Sequence, residues 1–305
     1  MLITDQIVGK DLGEVEIAGR SLWKDARQRY MRNKAAVFFS VILILIALFT
    51  VLGPLIAVTD YETIDFSMIG QAAEKGQPSI ANGHYFGYDD EGRDLYSRVI
   101  QGTWISMLVG VVGAAVAVVI GTLYGAIAGY FGGRVDSIMM RIVDILMAIP
   151  FMFVLILLLV AFERSVTMLF VGIGMLSWLG MARIVRGQTI SIRNKEFIEA
   201  AQASGVGSFT IILRHIVPNL LGVVTVYATL LVPEMILTES FISFVGLGVQ
   251  PPDTSLGQLI NVGAGNLQYG TIWQLLFPLG FFVVLIFSLF FVGDGLRDAL
   301  DPKDR

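Results

Sequence analysis

Residues 196–219 read EFIEAAQASGVGSFTIILRHIVPN. This charged, alanine- and glycine-bearing block lies between two long apolar runs, in a chain that is 55% hydrophobic. Burying it in hydrocarbon would cost roughly 2.5–3.5 kcal/mol for each charge at a helix centre, so it must protrude. Its residues favour helix. Residues 193–204, RNKEFIEAAQAS, are good helix formers that set Phe197, Ala200, Ala201 and Ser204 on one side. Gly205 permits a left-handed stop, and Gly207 loosens the chain further. Residues 208–217 then form a second short helix with Ile211, Ile212 and Ile216 near one face, and Pro218 suits the boundary before a new helix. A rigid protrusion with a partly apolar face fits a docking element for another protein. The same composition also fits a structured loop packed on its own bundle.

Outward from this block the chain is an all-α polytopic membrane protein. Only 15% of its 305 residues are charged, against about 25% in soluble proteins. Its mean hydropathy is +0.74. A span needs about 20 mostly apolar residues. Six segments qualify: 36–58, 103–129, 138–161, 166–185, 220–242 and 272–293. The stretch 1–35 carries many charges and no A-x-A cleavage site follows the first apolar run, so that run is expected to be retained as a span. Within it, SLWKDARQRYMRNK (21–34) places Trp23, Ala26, Tyr30 and Met31 near one helical face, which suits a helix lying on a membrane surface or a solvated basic lead-in. Lys and Arg crowd the stretch before the first span, the 186–219 loop and the 294–305 tail. The 243–271 loop has none, and the 59–102 loop has three against eight carboxylates. By this bias both termini and the 186–219 loop are expected in the cytoplasm, with 59–102 and 243–271 outside.

Little in the sequence can do chemistry. With no cysteine and only two histidines, His84 and His215, thiol catalysis and a metal site are not expected. Both histidines read as surface or docking residues. No G-x-x-x-x-G-K-[ST] is present, so the chain lacks a phosphate cradle of its own. Carboxylates within spans each need a reason. Glu234 follows Pro233 near the middle of the fifth span and is the better candidate for a group facing a water-filled path, a structural hydrogen bond to a neighbouring helix being the alternative. Glu239 lies nearer the outer surface, where interfacial solvation accounts for it; both glutamates are carried as candidates for a translocation pathway. Asp144 is expected to pair with Arg141, one turn earlier on the same helix. Gly121, Gly125 and Gly129 recur every four residues and form a smooth stripe for close helix packing, or for one helix shifting against another.

Glu199, Ala200, Ala201, Gly205, Ile216 and Pro218 match, position by position, the cytoplasmic coupling loop of ABC importer permeases. The stretches GHYFGYDDEGRDLYSRVIQGTWISMLVG (83–110), AGYFGGRVDSIMMR (128–141) and SFVGLGVQPP (243–252) resemble the dipeptide/oligopeptide/nickel permease family. One departure is Ser-Leu-Gly at 255–257, where that family's pattern has Ser-Trp-Gly, so the outer segment is expected to pack or to contact its partner differently.

The resemblance implies the type I ABC importer permease fold and a bacterial inner-membrane location. It implies a non-catalytic permease that forms half of a path for oligopeptides, or for dipeptides or nickel. The implied partners are a second, similar permease, two P-loop ATPase subunits and an extracytoplasmic peptide-binding protein docked on 59–102 and 243–271. Nucleic acid has no place among them. No cofactor belongs to this chain; ATP and magnesium sit in the ATPases. Glu199 would contact an ATPase, Gly205 would set the turn, and Ala200 and Ala201 would keep the contact face small. Two other classes stay open: a secondary transporter or channel working alone, and a membrane scaffold with no path.

Overall fold

The computed structural model describes residues 22–162 and 165–300, and nearly all of them are helical. The chain runs α1 (Leu22–Arg32), α2 (Lys34–Leu52), a short α3 (Ala72–Lys75), α4 (Leu95–Phe131), α5 (Gly133–Ala148), α6 (Phe151–Ala161), α7 (Val166–Arg193), α8 (Glu196–Ala203), α9 (Ser208–Ile211), α10 (Val217–Phe244), α11 (Leu256–Gly265) and α12 (Trp273–Leu300). Among the described residues the only β pairings are two isolated bridges, Ile64 with Arg93 and Tyr88 with Asp94. Five helical segments are long and apolar enough to cross a membrane, and a bent pair supplies a sixth.

That bent pair corrects the third expected span. Residues 138–161 do not form one straight helix: α5 ends at Ala148, the chain turns through 73°, and α6 starts at Phe151. Pro150 is the cause. It has no N–H to continue the ladder and holds Ile149 in an extended conformation, with ψ at 124°.

Within lipid, helices have little hydrophobic reason to associate, so close backbone approach and van der Waals contact decide the packing. The longest interface joins α4 to α7. There Gly121, Gly125 and Gly129 face the α7 backbone. A Cβ on Gly121 would stand 2.6 Å from Met181 Cβ, one on Gly129 2.7 Å from Thr189 Cβ, and one on Gly125 would fall on the Ala182 carbonyl. A second core joins α4, α6, α7 and α10 through Ile105, Val109, Leu155, Leu159, Leu169, Ile173 and Met235. By contrast, α2 leaves Phe38, Val41, Ile44, Leu45 and Leu48 exposed along its length, as a lipid-facing helix would.

The first helix is tied to the bundle. Tyr30 Oη lies 2.5 Å from Ser40 Oγ on α2, and Gly295 of α12 admits the Tyr30 ring. Of the four residues expected on one face, Ala26 is buried, Tyr30 half-buried and Met31 exposed; the Trp23 side chain lies outside the described residues. At the opposite end, residues 59–94 fold over the bundle and are bonded to the start of α12. Trp273 Nε1 and Gln274 Nε2 both donate to the Tyr88 carbonyl, at 3.3 and 3.0 Å.

The candidate coupling elbow and transport cavity

Helix α8 begins with Glu196 and Glu199 in its first turn, where carboxylates favour the positive end of the helix dipole. It ends in a Schellman turn. Val206 N–H donates to the Ala201 carbonyl at 3.1 Å and Gly205 N–H to the Gln202 carbonyl at 2.9 Å. Gly205 takes φ of +76°, which a side chain would oppose. Beyond Gly207 the chain re-enters helix as α9, widens into a π-turn over Ile212–Ile216 and continues into α10 without a break. The widening fits Pro218 in the first turn of α10: proline offers no N–H and crowds the carbonyl one turn back. The sequence placed a helix boundary at Pro218; the structure instead runs Ser208–Phe244 as one segment.

One face of this elbow is fixed to the bundle. Ile198, Ala201, Ile211, Ile212 and Ile216 are buried with Ala126, Tyr130, Met181 and Val185 of α4 and α7. Arg193 Nη1 donates to the Gly129 and Tyr130 carbonyls at 3.2 and 3.3 Å, closing the C-terminus of α4. The other face is open: Phe197, Phe209 and Leu213 are exposed apolar side chains, beside exposed Glu199 and Ala200. The six residues picked from the sequence therefore divide. Glu199, Ala200, Gly205 and Pro218 are exposed, while Ala201 and Ile216 point inward. Ala201 does not share the face of Phe197, Ala200 and Ser204, because Ile198 and Ala201 form the inner edge of α8.

Between α5, α6, α7 and α10 lies a cavity of about 600 Å³. Glu234 is exposed and lines it, with Ser177, Tyr227 and Thr238 as the neutral polar groups of an otherwise apolar wall. The break at Ile149–Pro150 lies in the same wall. Irregular backbone at membrane depth is tolerated where it lines such a space.

Glu239 stands elsewhere, and its expected interfacial solvation is overturned: it is fully buried. Ser243 Oγ donates to Oε1 at 2.7 Å, and Ser106 and Ser240 Oγ donate to Oε2 at 2.9 and 3.2 Å. Two of these hydroxyls accept in turn, Ser106 Oγ from Leu256 N–H at 3.3 Å and Ser243 Oγ from Val249 N–H at 3.4 Å. The Glu239 carboxyl group thus gathers α4, α10 and the start of α11 around one side chain. Glu239 is not among the residues lining the large cavity.

Three further sequence expectations change. Asp144 pairs with Arg183 of α7 at 2.5 Å rather than with Arg141. Three residues along α7, on the same helix face, Arg186 binds Asp136 through both Nε and Nη2 at 2.6 and 2.5 Å. Both ties hold α5 to α7, and neither was legible without the fold. His84 is buried, not a surface residue: its Nδ1 lies 2.9 Å from Asp94 Oδ1 and its Nε2 2.7 Å from Tyr88 Oη. Asp94 also caps α4, accepting from Ser97 N–H at 3.0 Å. Nearby, burial pushes the Asp89 carboxyl above the ordinary range, against the opposing pull of the Arg93 backbone N–H and of Arg98 and Arg93. Leu256, at the position of the family's Trp, is fully buried among Ile46, Ile236, Leu285 and Ile286, so that departure is absorbed inside the protein. His215 is half-buried beside the elbow.

A family described as binding-protein-dependent transport system inner membrane component matches residues 121–305. The chain belongs to that family. The N-terminal domain of oligopeptide transport permease C matches residues 21–73. Among curated relatives, the oligopeptide transport system permease protein OppC of Escherichia coli K12 is 56% identical over 96% of this chain and 95% of its own length. OppC of Bacillus subtilis is 40% identical over 97% and 94%, and the dipeptide permease protein DppC of that organism 38% over 99% and 92%. Among solved structures, a chain of the inward-facing MetNI methionine ABC transporter matches with TM-score 0.52 and 21% identity, covering 66% of this chain and 95% of that one. The fold is that of type I ABC importer permeases. As a member of the inner membrane component family, the chain is a membrane permease subunit and not itself a catalyst.

Proposed function

We propose that this chain forms half of an ATP-driven path for oligopeptides and that the α8–α9 elbow is where a separate ATPase drives it. It is a permease subunit of peptide import; the relatives carry the peptide assignment, and the DppC relative keeps shorter peptides within range. The observation that carries the coupling role is the two-sided elbow. Its inner face is cemented to α4 and α7, while Phe197, Phe209, Leu213 and Glu199 are free to meet a partner. The partners are a second permease of the same family, two ATPase subunits that hold ATP and magnesium, and a peptide-binding protein over residues 59–102 and 243–271. Both termini and the elbow face the cytoplasm of a bacterial cell, across its inner membrane. Closure of the ATPases on ATP moves the elbow as a rigid body, and the continuous segment Ser208–Phe244 carries that motion past the cavity.

Reconstitution of the complex in liposomes tests this. Peptide uptake is expected to require ATP, the ATPases and the binding protein. Gly205→Asp, which forces a charged side chain into a left-handed turn, is expected to abolish uptake while the permease still reaches the membrane. Unchanged ATP-driven uptake in that variant would remove the elbow from the mechanism.

A further inference from the structure

The cavity holds one acidic side chain, and among the described residues no basic side chain lines it. The Glu234 carboxylate makes no hydrogen bond or ion pair with any described residue; apart from the helix ladder, the bond at this position is from Thr238 Oγ1 to the Glu234 backbone carbonyl, at 2.9 Å. Among the described residues, no Lys, Arg, His or second carboxylate lines the space. Leu146 and Met147 in the last turn of α5 and Phe151 in the first turn of α6 both line it, so helix-dipole ends of opposite sign meet there and Glu234 is the charged side chain that sets the field. An unpaired carboxylate at this depth is costly, and its neighbour Glu239 shows how the same helix satisfies one when the role is structural.

The chemistry of the occupant follows from the wall. Peptides of different sequence share only their amide bonds, a terminal ammonium and a terminal carboxylate. A wall with one anion and apolar surroundings attracts the ammonium, repels the carboxylate and leaves side chains without specific bonds. We propose that Glu234 is a subsite for the α-ammonium group of the peptide in transit. This deepens the peptide-import reading and rests on it.

The test uses the assembled transporter in nanodiscs, without nucleotide or binding protein, and radiolabelled trialanine as the probe. Two competitors separate the ends: trialanine methyl ester keeps only the ammonium, and N-acetyl-trialanine only the carboxylate. The ester is expected to displace the probe and the acetylated peptide to fail. In Glu234→Gln the ester should weaken by about tenfold or more, the scale of losing one charge-assisted hydrogen bond. Glu234→Asp, which retains the charge, should keep part of the effect and shows that loss of folding is not the cause. Equal competition by both compounds, an unaltered Glu234→Gln, or no saturable binding of trialanine would each overturn the subsite. Failure of the peptide-import reading has a different signature: the unaltered transporter, with ATP and binding protein in liposomes, would take up no trialanine at all.

Discussion

Glu234 and Glu239 stand five residues apart on α10, and their surroundings share no feature. One faces open space beside apolar side chains; the other is enclosed by three hydroxyls. The sequence singled out both, because a carboxylate within a span is conspicuous. It ranked Glu234 ahead for a water-filled path but gave Glu239 to interfacial solvation, since the donors that allow its burial come from residue 106 as well as from the same helix, and their convergence is a property of packing. The same holds for Asp144, whose partner Arg183 is far away in sequence while Arg141 was near at hand. Glu239→Ala is expected to leave three buried hydroxyls without an acceptor and to lower the stability of the purified complex by at least ~2 kcal/mol, read as a fall in its thermal midpoint. Glu239→Gln, which retains an acceptor oxygen, should cost less.

At the level of helices, the glycine stripe of α4 could be read as a contact surface from its four-residue spacing alone, and the structure supplies its partner, α7. The prediction is specific to the side of the helix pair. Gly125→Leu drives a side chain onto the Ala182 carbonyl and the Arg186 amide, so α4 and α7 must part, and folded protein in the membrane should fall severely. Gly187→Leu on α7, where a Cβ meets nothing within 4 Å, should be tolerated; the yield of monodisperse protein in detergent checks both. The break at Pro150 was harder to see. A hydropathy window averages over 138–161 and reports one span, although a proline preceded by a β-branched residue is a local signal for a turn. The elbow was legible in outline from its glycines and its apolar spacing. What escaped was the π-turn, which depends on how Pro218 is accommodated against a helix that continues through it.

For the molecule as a whole, the two ends of the bundle are built differently. One end presents the elbow; the other is a cap in which residues 59–94 are bonded to α4 and α12, and α4 in turn to the 250–258 segment. Arg98 Nη1 donates to the Pro252 carbonyl at 3.1 Å and Gln101 Nε2 to Asp253 at 2.9 Å. The length and acidity of that loop were plain in the sequence, but the burial of His84 and Asp89 beneath it was not. A polar residue in a long loop reads as solvated until its partners are located. Since the chain has no cysteine, its orientation can be measured directly. A single cysteine at exposed Glu62 is expected to react with a membrane-impermeant maleimide in intact cells, and one at exposed Ser204 only after the membrane is opened. The reverse pattern would invert the assignment of the elbow to the nucleotide side.

The unbroken run from Ser208 to Phe244 has a mechanical consequence. At 1.5 Å per residue its 37 residues span about 55 Å, so a rotation of about 10° around the midpoint swings each end by about 5 Å. The elbow sits at one extremity, the Glu239 anchor lies close to the other, and Glu234 stands between them on the same rod. On the proposed coupling role, a push at the elbow would pull on the serine cluster and the start of α11 in the same stroke, so that the two ends of the rod would move in opposition without a second relay.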